Sequence, residues 1–171
     1  MTITQVPAAQ TGSMTLLSTT TLSGSAVNLT SIPQTYKNLQ LVIQNFLPSG
    51  DGQYANMRFN NDSNTRYARA VASTGLDVVS TFGAAFFYAA SSNDNATANG
   101  ISIIDIFDYR NTATWKFAHM RSVGNDLSTP TSASFSGTFN AYNQTGAITQ
   151  INLFPNSGTF TSGTVLLYGV N

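Results

Sequence analysis

The stretch YKNLQLVIQNFLPSGDGQYANMRFNN (Tyr36 to Asn61) decides the class of fold. It opens with an apolar run around Leu39 to Phe46 and then passes through the turn-rich segment Pro48 to Gly52. In Tyr54 to Asn60, apolar and polar side chains alternate, as they do in a strand with one buried face. Two half-buried strands joined by a loop rich in Gly and Pro predict an all-β protein.

Strand signals of the same kind recur along the rest of the chain, separated by short segments rich in Gly, Asn, Ser and Pro. About nine or ten strands at a spacing of roughly 8–12 residues are typical of a sandwich or a barrel. We therefore predict an antiparallel, jelly-roll-like β-sandwich. The first two strands, Met14 to Leu22 and Ala26 to Ile32, flank Ser23-Gly24-Ser25, which predicts a hairpin.

Three later segments carry specific expectations. Leu76 to Ala90 is predicted to be strand and loop, with a bulge at Gly83. Ser91 to Gly100 is small and polar, which favours a solvent loop, and so is Gly124 to Thr131. Ser132 to Tyr142 shows the cleanest alternation of the chain. The residues of that strand predicted to face the core are Ala133, Phe135, Gly137, Phe139 and Ala141.

Composition excludes several classes of partner. Charged residues make up 8 % of the chain, against roughly 25 % in an average globular protein. The net charge is zero and the seven Lys and Arg residues form no cluster, so we predict no nucleic-acid partner. No apolar run approaches the roughly 20 residues of a membrane-spanning helix, so we predict no membrane insertion. Cysteine is absent, which excludes disulfides and thiolate metal sites.

The residues that could carry catalysis are few. His119 is the only histidine, and it shares a strand face with Trp115 and Phe117, which favours a packed or edge histidine. Asp105 and Asp108 lie three residues apart on one strand, so their side chains point to opposite faces and cannot flank one substrate. The loops at Asp51 and at Asn60 to Asp62 lack the spacing of an EF-hand and are explained by turn chemistry. The sequence predicts no enzyme, no metal and no cofactor.

Arginine and tyrosine lie close together in one part of the chain, and both are favoured anchors of protein interfaces. The residues predicted as interface contacts are Tyr54, Arg58, Arg66, Tyr67 and Arg69. The alternative is that they lie on solvated strand faces and pair with nearby Asp residues.

Three pieces of the chain carry a family resemblance: LLSTTTLSGSAVNLTSIPQTYKNLQLVI (Leu16 to Ile43), MRFNND (Met57 to Asp62) and SGTVLLYGVN (Ser162 to Asn171). In these pieces the chain resembles a diffuse family of small virion proteins from tailed bacteriophages, especially those of marine and freshwater bacteria. The middle of the chain, from about Thr74 to Pro130, shares none of this likeness.

The resemblance implies a β-sandwich module on the exterior of the phage virion, commonly a homotrimer, whose partners are its own copies and capsid or tail structural proteins. No catalytic residue comes with it. The short chain lacks a repetitive shaft, which favours capsid decoration; the alternative is a tail-fibre or tail-tip module that binds a host receptor or a surface glycan. Residues 1–13 are expected to form an arm or lead-in to a single domain at 14–171, and the arm either docks on the capsid or is a frayed terminus.

Overall fold

The structure, a computed structural model, describes residues 13–71, 82–125 and 133–171. Within these ranges the chain forms eleven strands and no helix, slightly more strands than predicted. They are β1 (Met14–Thr21), β2 (Val27–Leu29), β3 (Asn38–Pro48), β4 (Gln53–Phe59), β5 (Tyr67–Val71), β6 (Phe87–Asn93), β7 (Gly100–Phe107), β8 (Lys116–Gly124), β9 (Ser134–Tyr142), β10 (Ile151–Pro155) and β11 (Phe160–Val170).

The strands form two antiparallel sheets that pack face to face, which confirms the predicted β-sandwich. The large sheet has seven strands in the order β1-β11-β3-β7-β8-β9-β5. The small sheet has four strands in the order β2-β10-β4-β6. Apolar side chains from both sheets, such as Leu41, Ile104, Met57 and Phe87, are fully buried between them, as expected for stacked antiparallel sheets.

The stretch from Tyr36 to Asn61 joins the two sheets. Its first strand, β3, lies in the large sheet and its second, β4, lies in the small sheet. The chain turns between them at Ser49 to Gly52, where Gly52 has a φ of 67°, a conformation that suits glycine. This stretch therefore contributes to both walls of the core.

The predicted hairpin between the first two strands is wrong. Strand β1 pairs with β11, and Met14 lies opposite Val170. Strand β2 pairs with β10 in the other sheet. Between them Leu22 is buried, and Gly24 exchanges two backbone hydrogen bonds with Phe160, at 3.1 and 2.8 Å. The Ser23-Gly24-Ser25 segment thus carries the chain from one sheet to the other.

The MRFNND piece ends in a structural clasp. Asn60 and Asn61, which follow β4, have φ angles of 52° and 55°, a left-handed conformation that asparagine tolerates. The side-chain oxygen of Asn60 accepts hydrogen bonds from the N–H groups of Thr149 and Gln150 at 2.9 and 3.2 Å. Its amide donates to the Ala147 carbonyl at 2.9 Å. The turn thereby holds the lead-in to β10 against the end of β4.

The predicted solvent loop Ser91 to Gly100 begins inside the fold. Residues 91–93 belong to β6, and Asn93 is 1 % exposed. Its amide nitrogen donates to the Phe46 carbonyl at 2.6 Å, and its side-chain oxygen accepts from the Asn125 N–H at 2.8 Å. The backbone of Gly124 packs directly against this segment, since a Cβ atom there would collide with Asn93 Oδ1 and the Ser92 carbonyl.

The side of β9 that faces the core is the opposite of the predicted one. Partners across neighbouring strands share a face, and β8 turns Ala118 and Met120 into the core. Their partners on β9 are Asn140 and Thr138, which are buried, and Asn140 donates to the Thr138 hydroxyl at 3.0 Å. The register therefore places Ala133, Phe135, Gly137, Phe139 and Ala141 on the opposite side from the core.

Parts of some predictions lie outside the described residues. These are the N-terminal arm apart from Ser13, the beginning of the Leu76 to Ala90 segment, and most of the loop from Gly124 to Thr131.

Candidate interaction surfaces

The outer face of β7, β8 and β9 is the most apolar exposed surface among the described residues. Large apolar side chains lie on it in adjacent cross-strand positions, with Phe107 opposite Phe117 and Ile101 opposite Val123. Phe135 is 77 % exposed and Phe139 is 59 % exposed. We call the solvent side of these three strands the outer face. Its large apolar residues are Ile101, Ile103, Phe107, Phe117, Val123, Phe135 and Phe139.

A polar row crosses this face. The Gln40 amide donates to one oxygen of Asp105 at 2.7 Å, and Arg121 forms an ion pair with the other oxygen at 2.8 Å. His119, opposite Asp105, stacks its ring on Phe139, with ring centroids 4.6 Å apart. The formal charges of Asp105 and Arg121 therefore cancel within the face.

A groove interrupts the outer face at Gly137. The glycine lies between the exposed rings of Phe135 and Phe139 on β9 and has no side chain to fill the space between them. The groove has a volume of about 420 Å³, and Ile101, Ile103, Val123 and the Arg121 side chain complete its walls. The outer face thus offers both protruding rings and a depression that could receive an apolar side chain of a partner.

Charged residues in the sequence indicate which side of these strands faces the solvent. Alternation separates the two sides of a strand but does not say which side is buried. Asp105 lies in the same series as Ile101, Ile103 and Phe107, and Arg121 in the same series as Phe117 and His119. A charge within an apolar series indicates the solvent side. Lys116 weakens this signal because it is buried in the opposite series, where it donates to the Thr114 and Thr145 carbonyls.

Three of the five predicted interface residues lie close together, two on β4 of the small sheet and Arg69 on β5 at the edge of the large sheet. Arg58 places its guanidinium 4.4 Å from the ring centre of Phe154 and donates to the Ala85 carbonyl at 2.8 Å. Arg69 lies 4.0 Å from the ring centre of Tyr88, and Tyr54 packs edge-on against Tyr88 at 5.0 Å. The surface therefore holds a cluster of arginine and aromatic side chains stabilised by cation–π contacts.

The other two predicted residues are separate from that cluster. Tyr67 is fully buried, so it cannot contact a partner. Its ring stacks on Tyr142 with centroids 4.7 Å apart, and its hydroxyl donates to the Asp62 carbonyl at 3.0 Å. Arg66 forms an ion pair with Asp62 at 3.4 Å. It pairs with a nearby Asp, as the alternative interpretation expected, but within the turn between β4 and β5 and not across two strands.

The groups considered for catalysis do not assemble. Asp105 belongs to the polar row, whereas Asp108 follows β7 and accepts a hydrogen bond from the Asn111 amide at 2.7 Å. In residues 13–71, 82–125 and 133–171, no group of three or more His, Asp or similar ligands could hold a metal ion. In the same part of the chain no helix is long and apolar enough to cross a membrane.

Comparison of the chain with protein-family models, with curated proteins and with solved structures finds no match.

Proposed function

We propose that this protein is a non-enzymatic structural component of the exterior of a tailed-phage virion, and that it decorates the capsid as a homo-oligomer. The observation that supports the proposal best is the outer face, where Phe117 and Phe139 are exposed at diagonal positions of β8 and β9 and Phe135 is exposed opposite Val123. Monomeric proteins rarely expose contiguous apolar surface of this kind, and it commonly marks a protein interface.

The partner that we propose for the outer face is a second copy of the chain. A second outer face brings its own Asp105–Arg121 pair, so two faces can approach without burying an uncompensated charge. Apolar rings stand beside a groove on the same surface, so copies could insert a ring of one into the groove of the next. A homotrimer is the assembly that we expect, with a ring of each copy in the groove of the next around a threefold axis, because two identical faces stacked directly on each other would close as a dimer.

The family resemblance supports the virion assignment, and the structure gives its three pieces a shared physical role. Leu16 to Ile43 and Ser162 to Asn171 supply the adjacent strands β1, β11 and β3. MRFNND supplies the clasp at the end of β4. The outer face, by contrast, is built largely from the middle and later part of the chain. We infer that the shared pieces form the framework and that the outer face makes contacts particular to this protein.

Measurement of the particle mass tests the proposal. Light scattering of the purified protein should give about three times the 18.2-kDa chain mass. Phe117→Ser combined with Phe139→Ser should shift the mass to that of one chain, because each substitution removes a ring whose burial stabilises the contact by about 1.5–3 kcal/mol. Leu16→Ser is the matched control, because Leu16 is equally exposed but lies on β1, four strands from β8. A monomeric wild-type protein would contradict the oligomer.

Localisation on intact particles tests the virion assignment separately. Antibody labelling or cryo-microscopy should find the protein on the capsid surface, and density at the tail tip would favour the tail module instead. A chain that lacks residues 1–13 should fold normally but fail to join the virion, and normal incorporation would refute the docking arm.

A further inference from the structure

A second cleft lies at the edge of the sandwich, between β6 of the small sheet and the beginning of β9 in the large sheet. Within the described residues, β6 pairs only with β4, so its other edge faces this cleft. The cleft has a volume of about 270 Å³. The lining residues that matter here are Tyr54, Tyr88, Phe135, Ser92, Ser134 and Ser136.

The aromatic walls of the cleft are held in fixed positions. Tyr88 is packed by Arg69, whose guanidinium lies 4.0 Å from the ring centre, and by the edge of Tyr54 at 5.0 Å. Burial and the neighbouring Tyr88 hydroxyl raise the pKa of Tyr54, so its hydroxyl is protonated at neutral pH. Phe135, whose ring belongs to the outer face, borders the cleft. Tyr54 and Tyr88 thus present pre-positioned rings with polar tips, which suit ligands that are apolar on one side and hydroxylated on the other.

The serine hydroxyls supply the hydrogen-bonding groups. The side chains of Ser92, Ser134 and Ser136 make no hydrogen bond within the described part of the chain, and each hydroxyl can donate once and accept twice. Ser91 differs from them, because its hydroxyl is engaged with that of Ser122 at 3.1 Å and holds β6 against β8. Among the residues that the structure describes, no charged side chain lines the cleft, so the site matches a neutral ligand rather than an acidic or basic one.

We propose that this cleft binds one neutral saccharide unit, a hexose or an N-acetylhexosamine, with its ring against the aromatic wall and its hydroxyls on Ser92, Ser134 and Ser136. The volume is slightly below the roughly 300–1,000 Å³ of sites for drug-sized ligands, which agrees with a single sugar ring. This inference goes beyond the structural role proposed above and does not depend on it.

Saturation-transfer NMR on the full-length protein tests the cleft. The probes are free glucose, galactose and N-acetylglucosamine. At least one should receive saturation from the wild-type protein. Ser92→Leu fills the cleft and should abolish the transfer. Tyr54→Ala should weaken binding about tenfold, the change that corresponds to one lost aromatic contact. Ser25→Leu is the control, because it makes the same substitution at an exposed serine in the turn between β1 and β2, and it should bind as the wild type does.

Two results would overturn the proposal: no transfer to any of the three saccharides, or transfer that persists unchanged in Ser92→Leu and Tyr54→Ala. Light scattering and circular dichroism on the same samples show whether each variant is folded and assembled. Saccharide binding by the Phe117→Ser, Phe139→Ser variant would support the cleft even where the oligomer is lost. If the wild-type protein assembles correctly but binds no saccharide, the cleft proposal is rejected and the proposed oligomer is unaffected.

Discussion

The ring of Tyr36 lies directly over Gly169, and a Cβ atom at position 169 would collide with three of its ring atoms. Tyr36 belongs to the SIPQTYKNL lead-in of β3, and Gly169 belongs to the YG pair of β11. The segments Leu16 to Ile43 and Ser162 to Asn171 are therefore in contact. The glycine is explained by the close approach of the ring, because its φ angle is not left-handed.

Substitution at this position gives the first prediction. Gly169→Ala should force the Tyr36 ring from its position and lower the free energy of unfolding by about 1–3 kcal/mol, the usual cost of overpacking. Gly146→Ala is the matched control, because a Cβ atom there meets nothing within 4 Å. Urea unfolding of both variants measures the difference, and equal stability of the two would show that Tyr36 adjusts without cost.

The hydrogen bonds to Asp62 predict an acid limb of stability. Burial alone would raise the pKa of this carboxyl, but hydrogen bonds from Asn64 and Tyr142 and the charge of Arg66 outweigh it, so the pKa lies below the ordinary 3.8. Because the folded value is depressed, the stabilisation is complete above the unfolded pKa and is lost as the pH falls through the folded value. The unfolding temperature should therefore drop below about pH 4.

Two variants test the assignment to Asp62. Asp62→Asn should reduce stability at neutral pH and flatten the acid limb. Asp51→Asn changes an exposed aspartate in the turn before β4 and should leave the limb as it is in the wild type. An acid limb that is unchanged in Asp62→Asn would assign it to other carboxyls.

Buried tyrosines predict a second limb at alkaline pH. Burial, with Asp62 nearby, raises the pKa of Tyr67 to about 12, and burial with the hydrogen bond to Asp62 raises the pKa of Tyr142 as well. Both phenols are neutral in the fold, so their stabilisation is complete below the ordinary value of 10.0 and is lost as the pH rises through the folded values.

Ultraviolet absorbance of tyrosinate, followed together with circular dichroism, checks this limb. Tyr67 and Tyr142 should ionise only when the protein unfolds. Complete ionisation of all tyrosines near pH 10, with the fold intact, would contradict the burial.

The reversed strand β9 gives a prediction about orientation. Phe135→Ser should change the unfolding free energy of the separated chain by no more than about 0.5 kcal/mol, as is usual for surface positions. Phe87→Ser removes a fully buried ring and should cost about 3–5 kcal/mol. Denaturant titration at low protein concentration compares the two variants. A large loss of unfolding free energy in Phe135→Ser would mean that Phe135 faces the core, as the alternation predicted.

The sequence predicted those features that depend on neighbouring residues. Turn residues and alternation gave the strand positions and the β-sandwich, because both depend on local backbone preferences. Pairing partners were missed because β1 meets β11 and β2 meets β10 across most of the chain. The side of β9 was missed for a related reason. Thr138 and Asn140 are buried because they lie beside Met120 and Ala118 of β8, on the side of the sheet that packs against β6. The sequence of one strand does not reveal these neighbours.

The candidate surfaces were predicted in part. Proximity in sequence brought Tyr54, Arg58 and Arg69 into one hypothesis, and the structure places all three in the same aromatic cluster. The same proximity wrongly included Tyr67. It lies on the same side of β5 as Arg69, but its ring is enclosed by Phe87 and Tyr142. The outer face could not be predicted from one segment, because its apolar residues come from three strands and become neighbours only through the register of β7, β8 and β9.

The pairing of Met14 with Val170 has a practical consequence for labelling. Anything attached to either end of the domain leaves from the same corner of the large sheet. A fluorescent protein fused after Asn171 would therefore crowd the region from which residues 1–13 emerge, and could block assembly for steric reasons alone. A label inserted at the exposed turn of residues 156–159, between β10 and β11, avoids that corner.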